Sequence, residues 1–169
     1  MAPRRTAVIV PLLVALAVLP LAEPASASHY NLDRVDLVTA AERRALSRAG
    51  VLDTKVLLAW TAKLSRRQWL ADETGMSWER LSELAALCDL LRVEGVGPSI
   101  AEVLVKSGAP HASALAGADP QALLDRMRVA TRGTSMRLRL PDPDTIRSWI
   151  RIARGLRPVL EDGAHRQEP

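Results

Sequence analysis

The stretch LLRVEGVGPSIAEVLVKSG, residues 90–108, decides the fold of this chain. Two glycines flank Val96, Pro98 follows, and apolar residues then recur at the spacing of a helix. Glycine supplies the positive φ that a tight reversal between helices needs, and proline suits the first position of a helix. The stretch therefore predicts two helices joined by a short hairpin.

We call this turn the second hairpin, because a similar segment precedes it in the chain. Its backbone N–H groups are candidates for binding an anion, because they lie at the positive end of the following helix. The candidate anion or phosphate site consists of Gly95, Val96, Gly97 and Ser99. Glu94 precedes the loop, and Lys106 follows only two turns later, so no basic residue stands directly behind the loop. A purely structural turn is therefore favoured over a phosphate contact, and both interpretations remain.

An earlier segment repeats the pattern at an offset of 58 residues. RVDLVTAAERRALSRAGV (34–51) aligns with RVEGVGPSIAEVLVKSGA (92–109). Leu37 and Thr39 replace the two glycines, and Thr39 with Glu42 has the spacing of a capping box. The Glu42 carboxylate would repel an arriving phosphate, so this first hairpin is predicted to be structural.

Helix start and stop signals along the chain predict an all-α fold. Helices are predicted to begin near Thr39, Thr54, Ser77, Pro98, Pro120 and Pro143, with another capping box at Ser65–Gln68. The second helix is expected to reach about Leu64 and the last to end near Gly155. We expect two tandem helix-hairpin-helix units packed as one compact helical domain.

The first 27 residues have the pattern of a signal peptide. Arg4 and Arg5 precede an apolar run from Ala7 to Ala22, and Ala25 with Ala27 gives a small-x-small cleavage site. The run is short for a membrane-spanning helix and contains two prolines. We therefore predict a secreted or extracytoplasmic protein cleaved after Ala27, with a membrane role only through the signal; a retained anchor is the alternative.

The predicted mature chain divides into a domain and a tail. The tandem domain spans 28–157, with halves at about 30–90 and 91–157, and a polar, flexible tail covers 158–169. Removing residues 1–27 takes two arginines and one glutamate from totals of 23 basic and 19 acidic residues, which leaves a net charge of +3. This modest charge argues against a strong general affinity for nucleic acid.

Basic residues concentrate near the end of the domain. Between Arg126 and Arg157 there are nine arginines and two aspartates. On the last predicted helix Arg147, Arg151 and Arg154 fall on one face beside the apolar stripe. This arginine face is the candidate surface for a polyanion or an acidic partner, although a solvated flank is the simpler interpretation.

Signals for catalysis or metal binding are weak. Cys88 is the single cysteine and lies in an apolar string, which predicts a buried thiol. The three histidines lack metal-ligand spacing, although Ser28-His29-Tyr30 at a new N-terminus would suit copper or nickel. Trp60, Trp69 and Trp78 are predicted to pack between helices, with a carbohydrate or peptide platform as the alternative. We expect no enzyme, no cofactor, no metal and no small-molecule substrate.

The chain resembles a bacterial tandem helix-hairpin-helix family of unknown function, over roughly residues 30–156. The resemblance rests on Ala49-Gly50-Val51, Thr54, Leu57-Leu58, Leu70-Ala71, Thr74-Gly75, Cys88-Asp89-Leu90, Arg92, Gly95-Val96-Gly97, Trp149-Ile150 and Ala153. It implies the fold but no activity. Cys88 departs from the alanine more usual there, a conservative change.

Two functions follow as expectations. The first is an exported, non-catalytic module that binds another macromolecule, a protein rather than a nucleic acid. The alternative is sequence-independent nucleic-acid binding through the second hairpin and the arginine face, loosely similar to exported competence DNA receptors that use this motif.

Overall fold

The computed structural model describes residues 29–132 and 139–161. Within these residues the chain is helical, with no strand, and the predicted all-α class is confirmed. The helices are Ala40–Arg48 (α1), Thr54–Thr61 (α2), Leu64–Thr74 (α3), Trp78–Leu90 (α4), Pro98–Lys106 (α5), Ala112–Ala116 (α6), Pro120–Ala130 (α7) and Pro143–Gly155 (α8). A short 3-10 turn, Leu32–Arg34, precedes them. The predicted signal peptide lies outside the described residues.

The helix starts that the sequence marks with local caps are confirmed. Thr39 and Glu42 form the predicted capping box at α1, and Ser77 accepts a hydrogen bond from the Arg80 N–H at α4 (3.1 Å). Asp119 and Asp142 cap α7 and α8, whose first residues are prolines. These caps need only residues three positions apart, and such short-range hydrogen bonds are readable from sequence.

The capping box predicted at Ser65 is wrong. The second helix ends at Thr61, and α3 already begins at Leu64 after Lys63, which makes no side-chain cap. The carboxylate of Glu161 takes that role, accepting from the Leu64 N–H at 2.9 Å, while the Glu161 N–H donates to the Ala62 carbonyl at 2.8 Å. The described start of the tail is therefore tied to the first half of the domain.

The two halves present helices of matching length in the same order. α1 and α5 have 9 residues each, α3 and α7 have 11, and α4 and α8 have 13. Only the pair α2 and α6 differs in length, with 8 and 5 residues. The short helix α6 was not predicted from the sequence. Packing also corresponds: α1 contacts α3 as α5 contacts α7, and α2 contacts α4 as α6 contacts α8.

The ends of α1 and α5 share one hydrogen-bond pattern. The Val51 N–H donates to the Leu46 carbonyl and the Ala109 N–H to the Leu104 carbonyl, both at 2.9 Å. The glycine before each donor has a positive φ, 76° in one case and 79° in the other. Each helix therefore ends in the same left-handed turn, which satisfies the last carbonyls and redirects the chain.

A single leucine-rich core holds the halves together. Its fully buried side chains come from both halves: Leu32, Leu46, Leu57, Leu70, Leu81, Leu84, Leu90, Leu91, Leu104, Leu115, Leu123 and Leu124. Contact between α4 and α5 joins the two sets of helices. The described domain is one compact unit.

Candidate functional site

The second hairpin leaves the start of α5 open. Gly95 has φ +84°, and the Val96 side chain is buried, which pins the turn to the core. Gly97 is the N-cap residue of α5, with no side-chain cap, and a Cβ placed there would meet nothing within 4 Å. Pro98 is the first helical residue and Ser99 is exposed. The four predicted hairpin residues thus surround an uncapped helix end.

Trp149 covers the second hairpin from α8. A Cβ at Gly95 would lie 2.9 Å from the indole Nε1, closer than real Cβ atoms approach a neighbour. Position 95 therefore requires glycine for two reasons: its φ is positive, and the Trp149 indole leaves no room for a Cβ. Trp149 is 5% exposed, and its Nε1 makes no hydrogen bond within the described residues.

An open cleft of about 400 Å³ lies beside this hairpin, between the starts of α5 and α8. It is lined by Ile100, Arg139, Leu140, Pro141, Asp142, Thr145 and Trp149. We call it the α5–α8 cleft. Asp142 accepts from the Thr145 N–H at 2.8 Å, and this hydrogen bond lowers the pKa of its carboxyl group.

The first hairpin is closed by its own side chains. The Thr39 N–H donates to Glu42 Oε2 (2.7 Å), and the Glu42 N–H donates to Thr39 Oγ1 (3.2 Å). Arg80 on α4 donates to Glu42 Oε1 (2.8 Å) and to the Leu37 carbonyl (2.6 Å). Its hydrogen bond lowers the pKa of Glu42, and the carboxylate in turn raises the pKa of Arg80. A resident carboxylate therefore occupies this helix end.

The three arginines of the predicted arginine face are exposed, but two already have partners. Arg147 pairs with Asp144, and Arg154 donates to the Ala116 carbonyl at 2.9 Å. Those contacts hold the ends of α8 and α6. Within the described residues, Arg151 alone on this face makes neither a hydrogen bond nor an ion pair.

The arginine face and the second hairpin lie on opposite flanks of α8. Successive helical residues are about 100° apart, so Trp149 lies about 160° around the axis from Arg147 and Arg151. The contacts agree, because Trp149 meets Gly95 while Arg154 meets α6. The structure does not bring the two predicted binding elements into one surface.

Asp89 and Arg92, two residues on which the family resemblance rests, form an ion pair (2.5 Å) in which the aspartate is buried and the arginine half-buried. The second carboxylate oxygen of Asp89 accepts from the Ala112 N–H at 2.9 Å, which anchors the start of α6. Arg92 also donates to the Arg157 carbonyl at 3.0 Å, which fixes the chain after α8. Both charged groups have structural partners on several elements.

Cys88 is buried, as predicted, and burial raises the pKa of its thiol to about 12. It therefore stays protonated and unreactive at neutral pH. Among the described residues, no group of three histidine, cysteine or acidic side chains is placed to hold a metal ion. None of the helices in the described ranges has the length and hydropathy that crossing a bilayer requires.

The sequence interpretation missed the exposure of an aromatic pair between α2 and α3. The rings of Trp60 and Trp69 stack with centroids 4.5 Å apart, and Trp69 remains 43% exposed. The Arg66 guanidinium lies 5.9 Å from the Trp60 ring. We call these three residues the tryptophan pair surface. The predicted packing between helices is present, but no sequence signal told which ring faces solvent.

The third tryptophan has a different role. Trp78 lies over the guanidinium of Arg67 (5.1 Å), which is itself buried and donates to the Thr61 carbonyl at 2.7 Å. Burial lowers the pKa of Arg67. This contact packs α3 on α4, and Trp69 is the one exposed tryptophan among the described residues.

The fold and site define an all-helical domain with one closed and one open hairpin. The chain belongs to a family described as a domain of unknown function (DUF4332), whose model matches residues 37–156. The expectation of a family without assigned activity is confirmed. No curated protein and no solved structure matches the chain.

Proposed function

We propose that this chain is an exported, non-catalytic module of two tandem helix-hairpin-helix units that binds another protein in the cell envelope or medium. The matching lengths, order and packing of α1–α4 and α5–α8 support two copies of one unit. The equivalent helix ends at Gly50 and Gly108 lie 58 residues apart, the same offset as the sequence repeat.

The tryptophan pair surface carries the proposal of a protein partner. Tryptophan and arginine are the residue types most enriched among those that dominate binding energy at protein interfaces. Trp69 is a large aromatic side chain with a substantial exposed fraction, held rigid by its stack on Trp60. A rigid aromatic loses little conformational entropy when a partner covers it, which favours binding.

A capture experiment tests this proposal. The full chain, tagged at its C-terminus, is expressed in the producing cell, cross-linked and recovered from envelope and medium. We expect Trp69→Ser to reduce the recovered partner by at least about tenfold, since loss of an interface tryptophan is costly. The matched control is Val129→Ser, which removes another exposed apolar side chain from the second half. Equal recovery with both variants would refute a role for this surface.

Export is part of the proposal and has its own test. The motivating pattern is the basic pair, the apolar run and the alanine pair that ends at Ala27. N-terminal sequencing of the protein recovered from medium or envelope should begin at Ser28. A mature pool that keeps Met1 would contradict processing.

Nucleic-acid binding is the second candidate, because the uncapped start of α5 leaves backbone N–H groups able to meet a phosphate. The occupied arginines and the separation of the two surfaces weigh against it. Binding to random duplex DNA should weaken steeply as salt rises if phosphates dominate. Absence of binding at about 50 mM salt would remove this candidate.

If DNA binding occurs, variants locate the surface. Charge reversal of Arg147, Arg151 and Arg154 should weaken it more than substitution of Ser99. The opposite ranking would assign the contact to the second hairpin.

A further inference from the structure

A basic corner lies where α2 turns into α3. Lys63, Arg66 and Arg67 place three cations close together in the chain, and no acidic residue falls between them. None of the three forms an ion pair within the part of the chain that the structure describes. The start of α3 adds the positive end of a helix at the same place. We call residues 62–67 the α2–α3 corner.

The chain's own Glu161 occupies this corner through two contacts of different kinds. Its main-chain N–H donates to the Ala62 carbonyl (2.8 Å), and its carboxylate accepts from the Leu64 N–H (2.9 Å). Glu161 is exposed and comes from a non-helical segment 97 residues further along the chain. The corner therefore already holds an acidic residue of a peptide segment, and that residue lies at the surface.

Arg67 gives an independent indication that the corner favours negative charge. Its side chain is only 5% exposed and donates to the Thr61 carbonyl and to Ser82 Oγ (3.1 Å). Both acceptors are neutral, so this cation has no contacting carboxylate among the described residues. Burial lowers the pKa of Arg67, and the attraction of Glu161 opposes that shift. Further negative charge brought to the corner would stabilise the buried cation.

Glu161 is held near the corner by a short tether. Arg92 donates to the Arg157 carbonyl at 3.0 Å, which fixes the chain a few residues before Glu161. Such a tether gives a weak contact an effective concentration on the order of millimolar. A partner with several carboxylates can compete with it, because Lys63 and Arg66 offer charges that Glu161 leaves unpaired.

The corner adjoins the tryptophan pair surface. Trp60 lies two residues before Ala62, and Arg66 belongs to both surfaces. A peptide matches this corner better than a nucleic acid, because the Ala62 carbonyl accepts from an N–H group. A sugar-phosphate backbone has no such donor, and its phosphates would meet the carbonyl oxygen unfavourably.

We infer that the α2–α3 corner binds an acidic, extended segment of a partner protein in exchange for the chain's own Glu161. The inference rests on the proposed function, since it gives the chemistry of the partner that covers the tryptophan pair surface. One acidic residue of the partner takes the Ala62 carbonyl and the Leu64 N–H, and its neighbours pair with the exposed cations. The contact of Glu161 is thus autoinhibitory.

The experiment is an NMR titration of the full mature chain with Glu161→Ala, which empties the corner. The probe is acetyl-Val-Leu-Glu-Asp-amide, which copies residues 159–162, and acetyl-Val-Leu-Gln-Asn-amide is the matched neutral ligand. The Leu64 amide proton loses its carboxylate acceptor in the variant. We expect the acidic peptide to return this signal toward its wild-type position, with a dissociation constant of about 1 mM. The neutral peptide should bind at least about tenfold more weakly.

Competition separates an exchangeable contact from a structural cap. Wild type should bind the acidic peptide at least about fivefold more weakly than Glu161→Ala, because its own carboxylate competes. Glu94→Ala removes an exposed carboxylate from the second half and should behave like wild type. Adding Lys63→Gln to the emptied corner should weaken the peptide at least about twofold. Adding Lys106→Gln, which removes an exposed charge from α5, should not.

Four results would overturn the inference. These are no return of the Leu64 signal up to about 10 mM peptide, equal affinity for the acidic and neutral peptides, equal affinity of wild type and Glu161→Ala, or tighter binding of a single-stranded DNA hexamer. The capture experiment keeps this inference apart from the proposed function. Glu161→Ala should raise the recovered partner at least about twofold. Unchanged recovery, with the loss in Trp69→Ser intact, would refute the corner and leave the tryptophan pair surface as the site.

Discussion

The two hairpins solve the same reversal by different means. In the first hairpin, side chains close the start of the helix. Thr39 and Glu42 cap α1, and Arg80 on α4 donates a hydrogen bond to Glu42. In the second, the backbone itself makes the turn, with Gly95 at φ +84° and the Trp149 indole lying over it. The side-chain solution occupies the helix end, whereas the glycine solution leaves it accessible.

This difference decides which of the two helix starts keeps N–H groups without a side-chain acceptor. A resident carboxylate stabilises the helix dipole and fills the hydrogen-bond positions that a ligand would need. Removing both the cap and the carboxylate leaves a helix end that only water or a ligand can satisfy. The first helix start is thus closed by side chains, whereas the second has no side-chain cap.

The largest effect that separates the hairpins should come from Gly95→Ala. The positive φ and the 2.9 Å approach to Trp149 together oppose a Cβ. We expect a loss of about 3 kcal/mol in the free energy of unfolding, measured by urea denaturation. Gly97→Ala is the control, because its φ of −89° is ordinary; it should cost below about 1 kcal/mol. Equal losses would contradict the role given to Trp149.

A smaller loss should follow Arg80→Ala in the first hairpin. The change removes hydrogen bonds to Glu42 and to the Leu37 carbonyl, and we expect about 1–2 kcal/mol by the same denaturation. Arg128→Ala breaks an exposed ion pair with Asp125 and should cost below about 0.5 kcal/mol. If the two variants behave alike, Arg80 does not clamp the hairpin.

The first hairpin should also respond to pH. The pKa of Glu42 is lowered in the folded state, chiefly by its hydrogen bond from Arg80. Its contribution is therefore present above the unfolded pKa, near 4.5, and is lost as pH falls through the lower folded pKa. Glu42→Gln should cost about 1 kcal/mol at neutral pH, and the gap to wild type should close in acid. A gap that persists at about pH 2 would place the effect elsewhere.

The smallest predicted effect converts the second hairpin toward the first. Gly97→Ser adds a capping hydroxyl where a Cβ meets open space, and should raise the free energy of unfolding by a few tenths of a kcal/mol. The new hydroxyl would compete with any anion for the same N–H groups. A loss of stability similar to that of Gly97→Ala would show that the serine does not cap.

Much of the fold was predictable because its signals are local. Pro98, Pro120 and Pro143 mark helix starts, and the structure begins α5, α7 and α8 at these residues. The start of α3 was not predictable, since its cap comes from Glu161, 97 residues away. The short α6 also escaped, because His111 caps it through a ring nitrogen and not through a usual capping residue.

The candidate sites were likewise predictable only where their signals are local in the sequence. The open character of the second hairpin was visible in its glycines, and the closed first hairpin in Thr39 and Glu42. The α5–α8 cleft was not visible, because Arg139 and Ile100 are far apart in the chain and meet only when α8 packs near α5. Exposure of Trp69 depends likewise on how α3 lies against α2.

The sequence alone determined most of the helices, most of their caps and the type of each hairpin, because those depend on hydrogen bonds and φ preferences among residues a few positions apart. Tertiary structure decided which side chain covers or clamps each hairpin: Trp149 over Gly95, and Arg80 on Glu42 from 38 residues away. Those choices depend on how helices cross, which is a property of the packed core and of no single segment.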